Sequence, residues 1–222
     1  AVMFKGNVVE RGPVNEVLDE LKASGQITFS GLGGTTAYEL AKRVATGRFD
    51  VVLTTFNYSL LWREAEHSVI PAAQEQGMGI VVGAPLQQGA LATRYDEELA
   101  AATWISPPRK RQYEQLYRLL DELGLPIHEV GLRWVLTNPA VSTVVVGARS
   151  VAEIEANVEA VEKGPLTQDV IAELDRIAAL VPFRPFEEPG GAFGLPFRRP
   201  YVGPGPLSGT GATGGIDESN KK

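Results

Sequence analysis

Short apolar runs of β-forming residues alternate with amphipathic helical stretches along most of this chain, and that alternation constrains its fold more than any other feature. Val51–Phe56 and Ile80–Ala84 are nearly unbroken apolar runs, the pattern of strands buried on both faces. Ile27–Leu32 and Val141–Val146 read as further strands, and Val2–Phe4 as a weak first one. Val14, Val17, Leu18 and Leu21 recur at i, i+3, i+4 and i+7, one face of a helix that Gly25 is placed to stop. Thr35–Ala45, Leu61–Gln76, Arg109–Leu123 and Ile127–Leu136 also read as helices. Val151, Ile154, Val158 and Val161 mark a helix behind the last strand, and Leu166–Leu180 is another, with Thr167 as its expected cap. Residues 85–108 are too polar and Pro-rich to be one element.

Alternation at this spacing implies right-handed βαβ crossovers and a parallel sheet. The expected class is therefore α/β with about five parallel strands. These form either an open doubly wound sheet or part of a (β/α)8 TIM barrel. No G-x-G-x-x-G follows any strand, which disfavours the first. Residues 1–181 are expected to form the partial barrel domain. Residues 182–205 are an aromatic- and Pro-rich segment. Its rings, Phe183 to Tyr201, are expected to pack back near the loops after strands 80–84 and 142–146. Residues 206–222 are expected to be a disordered tail.

Composition narrows the function classes. A net charge of −6 argues against nucleic acid or an anionic membrane as partner. The chain has no Cys, which excludes thiolate chemistry and Cys-ligated metals. Its two His, His67 and His128, fall on different predicted helices and form no ligand cluster. No apolar run approaches the ~20 residues needed to cross a bilayer, and AVMFKGNVVERG lacks the features of a signal peptide. The expectation is a cytoplasmic protein.

Three stretches carry a family resemblance: GIVVGAPLQQGALATRY at residues 79–95, GLRWVLTNPAVSTVVVGARSVAEIEANVEAV at 131–161, and FDVVLTTFNY at 49–58. Together they resemble the aldo-keto reductases, specifically strands five to eight of that barrel. The resemblance implies an NADP-dependent oxidoreductase moving hydride between nicotinamide and a carbonyl or alcohol. It places Leu86, Gln87 and Gly89 in a loop under the cofactor pyrophosphate. It places Gly147, Ala148, Arg149, Ser150, Glu153 and Asn157 around the adenosine phosphate, with Asn157 on the adenine. The chemistry of these residue types agrees. Gly147 allows close approach of backbone to phosphate. Arg149 offers a planar charged fork suited to a 2′-phosphate. Ser150 adds a donor where a helix begins. The bland alternatives are a strand-to-helix turn with a solvated Arg149 and an ordinary turn at Pro85–Gly89.

The chain also departs from that family. Nothing in it corresponds to the catalytic Asp, Tyr and Lys, and no His stands near Lys5-Gly6-Asn7. Gly33, Gly34, Leu53 and Gly83 replace polar or aromatic groups that the family uses around the nicotinamide. The catalytic half is therefore expected to lie outside this chain, in a missing N-terminal segment or a second chain. Otherwise the protein is a remodelled relative that only binds nucleotide or serves as an interaction subunit. A barrel enzyme of unrelated chemistry is the third reading.

Overall fold

The computed structural model describes residues 2–4, 7–10 and 14–182. The expectations for residues 183–222 lie outside them. Strands β1 (Val2–Phe4) and β2 (Asn7–Glu10) pair antiparallel in a two-stranded sheet of their own. This corrects the expectation that the first strand joins a parallel array. Only Lys5 and Gly6 separate the two strands, and so short a connection can join only antiparallel neighbours.

After α1 (Val14–Ala23), the parallel part runs β3 (Gly31–Gly34), α2 (Ala37–Val44), β4 (Val51–Thr55), α3 (Val69–Glu75) and β5 (Gly79–Gly83). Helices α4 (Asp96–Ala101), α5 (Pro107–Leu123) and α6 (Ile127–Thr137) follow, then β6 (Thr143–Val145), α7 (Val151–Glu162) and α8 (Gln168–Ala178). The four strands stand in the order β3-β4-β5-β6, all parallel. The strands expected near 27–32, 51–56, 80–84 and 141–146 are thus parallel neighbours in chain order, and the described residues hold four parallel strands rather than five.

Two boundaries move for local reasons. The strand expected over Ile27–Leu32 begins only at Gly31. The Asp50 carboxylate accepts the Ser30 N–H at 2.6 Å and the Ser30 hydroxyl at 3.1 Å, so a side chain takes the N–H at this end of the strand while the Ser30 carbonyl still accepts the Val51 N–H at 3.2 Å. The helix expected over Leu61–Gln76 is a 3₁₀ turn at Glu64–His67 followed by α3. Ser68 interrupts it at φ −145, ψ −82, with its hydroxyl donating to the Glu64 carbonyl at 2.6 Å. Thr167 does precede α8, but its side chain makes no cap hydrogen bond.

Register separates the strand residues into two faces. On one face Val52, Thr54, Ile80 and Val82 are buried, joining Leu40 and Val44 of α2 and Ile70 of α3 in the core. On the other face Gly33, Leu53, Val81 and Thr143 stand side by side, as do Thr55, Gly83 and Val145. No described element covers Leu53 or Val145, which are 37% and 58% exposed. Helix α7 is also turned from its expected seating behind the last strand. Val151, Ile154, Val158 and Val161 are all exposed, while Asn157 and Ala160 are buried. The side-chain bond from Lys163, just past α7, to Glu129 of α6 and the bond from Arg133 to the Gly164 carbonyl hold α7 against α6 by its other side.

Candidate functional site

Because β5 and β6 are adjacent and parallel, the loops that leave their C-terminal ends lie side by side. They enclose a cavity of about 430 Å³. Ligands bind at this end of strands in parallel α/β folds, because the loops there vary freely on a rigid sheet.

One wall is the loop after β5. Its backbone takes left-handed values at Ala84 (φ 56), Gln87 (φ 49) and Gln88 (φ 56), and Gly89 follows at φ 105. Non-glycine residues adopt such values only where the surroundings impose them. Gln87 is the anchor here. It is fully buried, and its amide oxygen accepts the Ser59 hydroxyl at 2.7 Å and the Leu61 N–H at 3.3 Å. Tyr95 closes the loop from the far side. Its phenol donates to the Gly89 carbonyl at 3.2 Å, while its own N–H donates to the Tyr117 hydroxyl at 3.1 Å. Burial raises the Tyr95 phenol above its ordinary pKa, against a smaller opposing effect of the Arg149 charge. It therefore stays protonated and able to donate.

The other wall is Val146–Arg149 and the start of α7. Ser150 is the N-cap and its hydroxyl accepts the Glu153 N–H at 3.2 Å. Glu153 reaches back and accepts the Arg149 N–H at 2.6 Å, one residue earlier than in the usual capping box. The Arg149 guanidinium also turns toward Glu153, at 3.0 Å from Nη2 and 3.3 Å from Nε. The Arg149 N–H, and then its guanidinium, hold the Glu153 carboxyl below the ordinary carboxylate range. A Cβ built on Gly147 would meet nothing within 4 Å, so the backbone there is open to a close approach.

Of the residues that sequence reasoning nominates, Leu86, Gly89, Gly147, Ala148, Arg149 and Glu153 line this cavity together. Gln87, Ser150 and Asn157 do not. Gln87 braces the loop from behind, Ser150 caps α7, and Asn157 is buried along α7. Sequence reasoning missed Gln88, Ala92 and Tyr95 in the wall. Tyr95 ends the LATRY run already singled out, but only the fold shows that its phenol returns to Gly89.

At the C-terminal end of β5, next to Ala84 of the cavity wall, Gly83 lacks a side chain for a physical reason. A Cβ there would lie 2.6 Å from the Thr55 hydroxyl oxygen. The wall that an aromatic side chain would have formed is occupied by Thr55 of the neighbouring strand.

The profile of the aldo/keto reductase family matches residues 11–179. An uncharacterized oxidoreductase, YrpG, of Bacillus subtilis (strain 168) is 29% identical over 83% of this chain and 58% of its own length. A putative voltage-gated potassium channel subunit beta of Schizosaccharomyces pombe is 27% identical over 77% of this chain and 56% of its own. Among solved structures, the aldo-keto reductase AKR11C1 from Bacillus halodurans, in its holo form, superposes with a TM-score of 0.60 at 27% identity. That match covers 78% of this chain and 58% of the other. The chain thus spans less than two thirds of the length of each of these proteins.

Proposed function

The chain belongs to the aldo/keto reductase family, and on that premise we propose that it forms the NADP-binding part of an oxidoreductase acting on a small-molecule carbonyl or alcohol. One observation supports this above the others. The loops after β5 and β6 form a single cavity with an open glycine, an arginine and a helix N-terminus along one wall. These residues fit a phosphorylated nucleotide. Arg149 and the start of α7 offer charge and N–H groups to the adenosine phosphate. The strained Ala84–Gly89 loop, held from behind by Gln87 and from the side by Tyr95, offers a fixed backbone track for the pyrophosphate. The cofactor, once bound, supplies the hydride chemistry.

In this reading the proton donor comes from outside the chain, from an N-terminal segment or a second chain seated on the bare face of β3–β6. NADPH and NADH binding to the 222-residue chain, read by tryptophan quenching, tests the proposal. Arg149→Ala should weaken NADPH roughly tenfold to a hundredfold, since a lost charge-assisted contact costs about 1.5–3 kcal/mol. NADH should be much less affected. Equal losses for both cofactors would remove Arg149 from the 2′-phosphate.

The likeness to a channel subunit beta favours a second reading, in which the protein is a non-catalytic nucleotide-binding or interaction subunit. Turnover separates the two. Carbonyl reduction after addition of the complementary barrel half supports the first, and binding that never leads to turnover supports the second.

A further inference from the structure

We propose that Glu153 sets how strongly this site distinguishes a dinucleotide with a 2′-phosphate from one without it. The inference rests on the reading that the cavity takes the adenosine end of the cofactor. Among the described residues that line the cavity, only Arg149 and Glu153 carry charge. They already face each other. The Glu153 carboxylate takes the Arg149 N–H at 2.6 Å and the guanidinium at 3.0 Å. These are the donors that a phosphate at this helix start would use. The protein thus carries its own anion in the phosphate position.

The two ligand types meet this carboxylate differently. A ribose with a free 2′-hydroxyl leaves the pair intact, because it brings no competing charge. A 2′-phosphate brings up to two negative charges and has to draw Arg149 away from Glu153. It then sits beside the displaced carboxylate. The pair is weak enough to be opened, since the Arg149 side chain is 87% exposed and such ion pairs hold loosely in water. Glu153 therefore lowers the preference for the phosphorylated ligand without abolishing it. A chain with Arg149 alone would select more sharply.

Glu153→Gln isolates this effect. The amide keeps an oxygen for the Arg149 N–H and preserves the length of the side chain, but removes its charge. The probes are 2′,5′-ADP and 5′-ADP, which need no nicotinamide contacts, titrated calorimetrically into the full chain. Glu153→Gln should tighten 2′,5′-ADP about threefold to tenfold, the scale of one charge at a helix N-terminus. The affinity for 5′-ADP should move less than about twofold, a negligible change on the free-energy scale. In an Arg149→Ala background the gain should shrink, because the competition is for Arg149. An equal shift of both ligands, or weaker 2′,5′-ADP binding by a variant with wild-type unfolding behaviour, would overturn the role given to Glu153. Binding of neither ligand by the unaltered chain would instead overturn the site itself, and this role with it.

Discussion

The two faces of the four-stranded parallel sheet are built from similar residues but meet different surroundings. On the covered face, Val52, Ile80 and Val82 are at most 1% exposed beneath the helices. On the other face, Val51, Leu53, Val81, Thr143 and Val145 share the surface with Gly31, Gly33, Gly79 and Gly83 and meet no described helix. Neither face carries a charged residue. A sheet face that lives in water normally shows polar residues at every second position. The bare face does not, so its chemistry is that of a surface made to be covered. In a (β/α)8 barrel the corresponding side chains fill the interior in layers. Apolar patches of this kind mark interaction sites on soluble proteins.

The sharpest way to break this comparison is to cut into the covered face. Ile80 is 1% exposed and sits in the core. Ile80→Ala should destabilise the chain by about 2–5 kcal/mol, the usual cost of a cavity that neighbours cannot fill. Urea unfolding followed by circular dichroism measures it. A cost near zero would mean that the helical layer is not seated on the sheet.

The layer behind that face is also pinned by charge. Glu129 of α6 is 2% exposed in its side chain and accepts Arg133 Nη1 at 2.7 Å and Lys163 Nζ at 2.8 Å. Burial pushes its carboxyl up, but the bonds from Lys163 and Arg133 outweigh this and leave it below the ordinary range. A depressed pKa in the folded state adds stability above the unfolded carboxylate value, and that stability is lost as pH falls through the folded one. Glu129→Gln should cost about 1–3 kcal/mol at neutral pH, less than a fully enclosed pair because Lys163 is half exposed. It should also flatten the loss of stability on the acid side. An unchanged acid slope would show that the α6–α7 contact does not depend on this cluster.

The sequence pattern made the sheet legible wherever packing dominates. Val51–Phe56 and Ile80–Ala84 are apolar on both faces, and both became central strands close to their expected bounds. It misled where a single polar contact decides. The Asp50 carboxylate takes the Ser30 N–H just before β3 begins, and Ser68 splits a helix that hydrophobic periodicity draws as continuous. In the candidate site, Gly147 and Arg149 could be read from residue type at a strand-to-helix joint. The inward turn of Gln87 could not, because its partners Ser59 and Leu61 lie on a distant loop. The α7 stripe shows the opposite failure. Its apolar spacing promised burial, and only the fold shows that its buried side is the one with Asn157 and Ala160.

The smallest expected effect is the most informative about the bare face. Leu53 lies on β4 between Gly33 and Val81 and is 37% exposed. Its neighbour on β3 is a glycine, so it packs against little on that side. Leu53→Ser removes a large apolar side chain, yet in the chain by itself it should cost only about 0.5 kcal/mol, the range of surface substitutions. It should also reduce binding of a hydrophobic dye such as ANS, because part of the apolar patch is gone. The same change in a completed barrel should cost several times more, since Leu53 would then belong to a packed interior. The decisive measurement is the ratio of the Leu53→Ser and Ile80→Ala losses in urea unfolding of the chain alone. A ratio well below one keeps the two faces distinct. Comparable losses would mean that the second face is sealed in solution, and the contrast between a covered and a bare face would have to be given up.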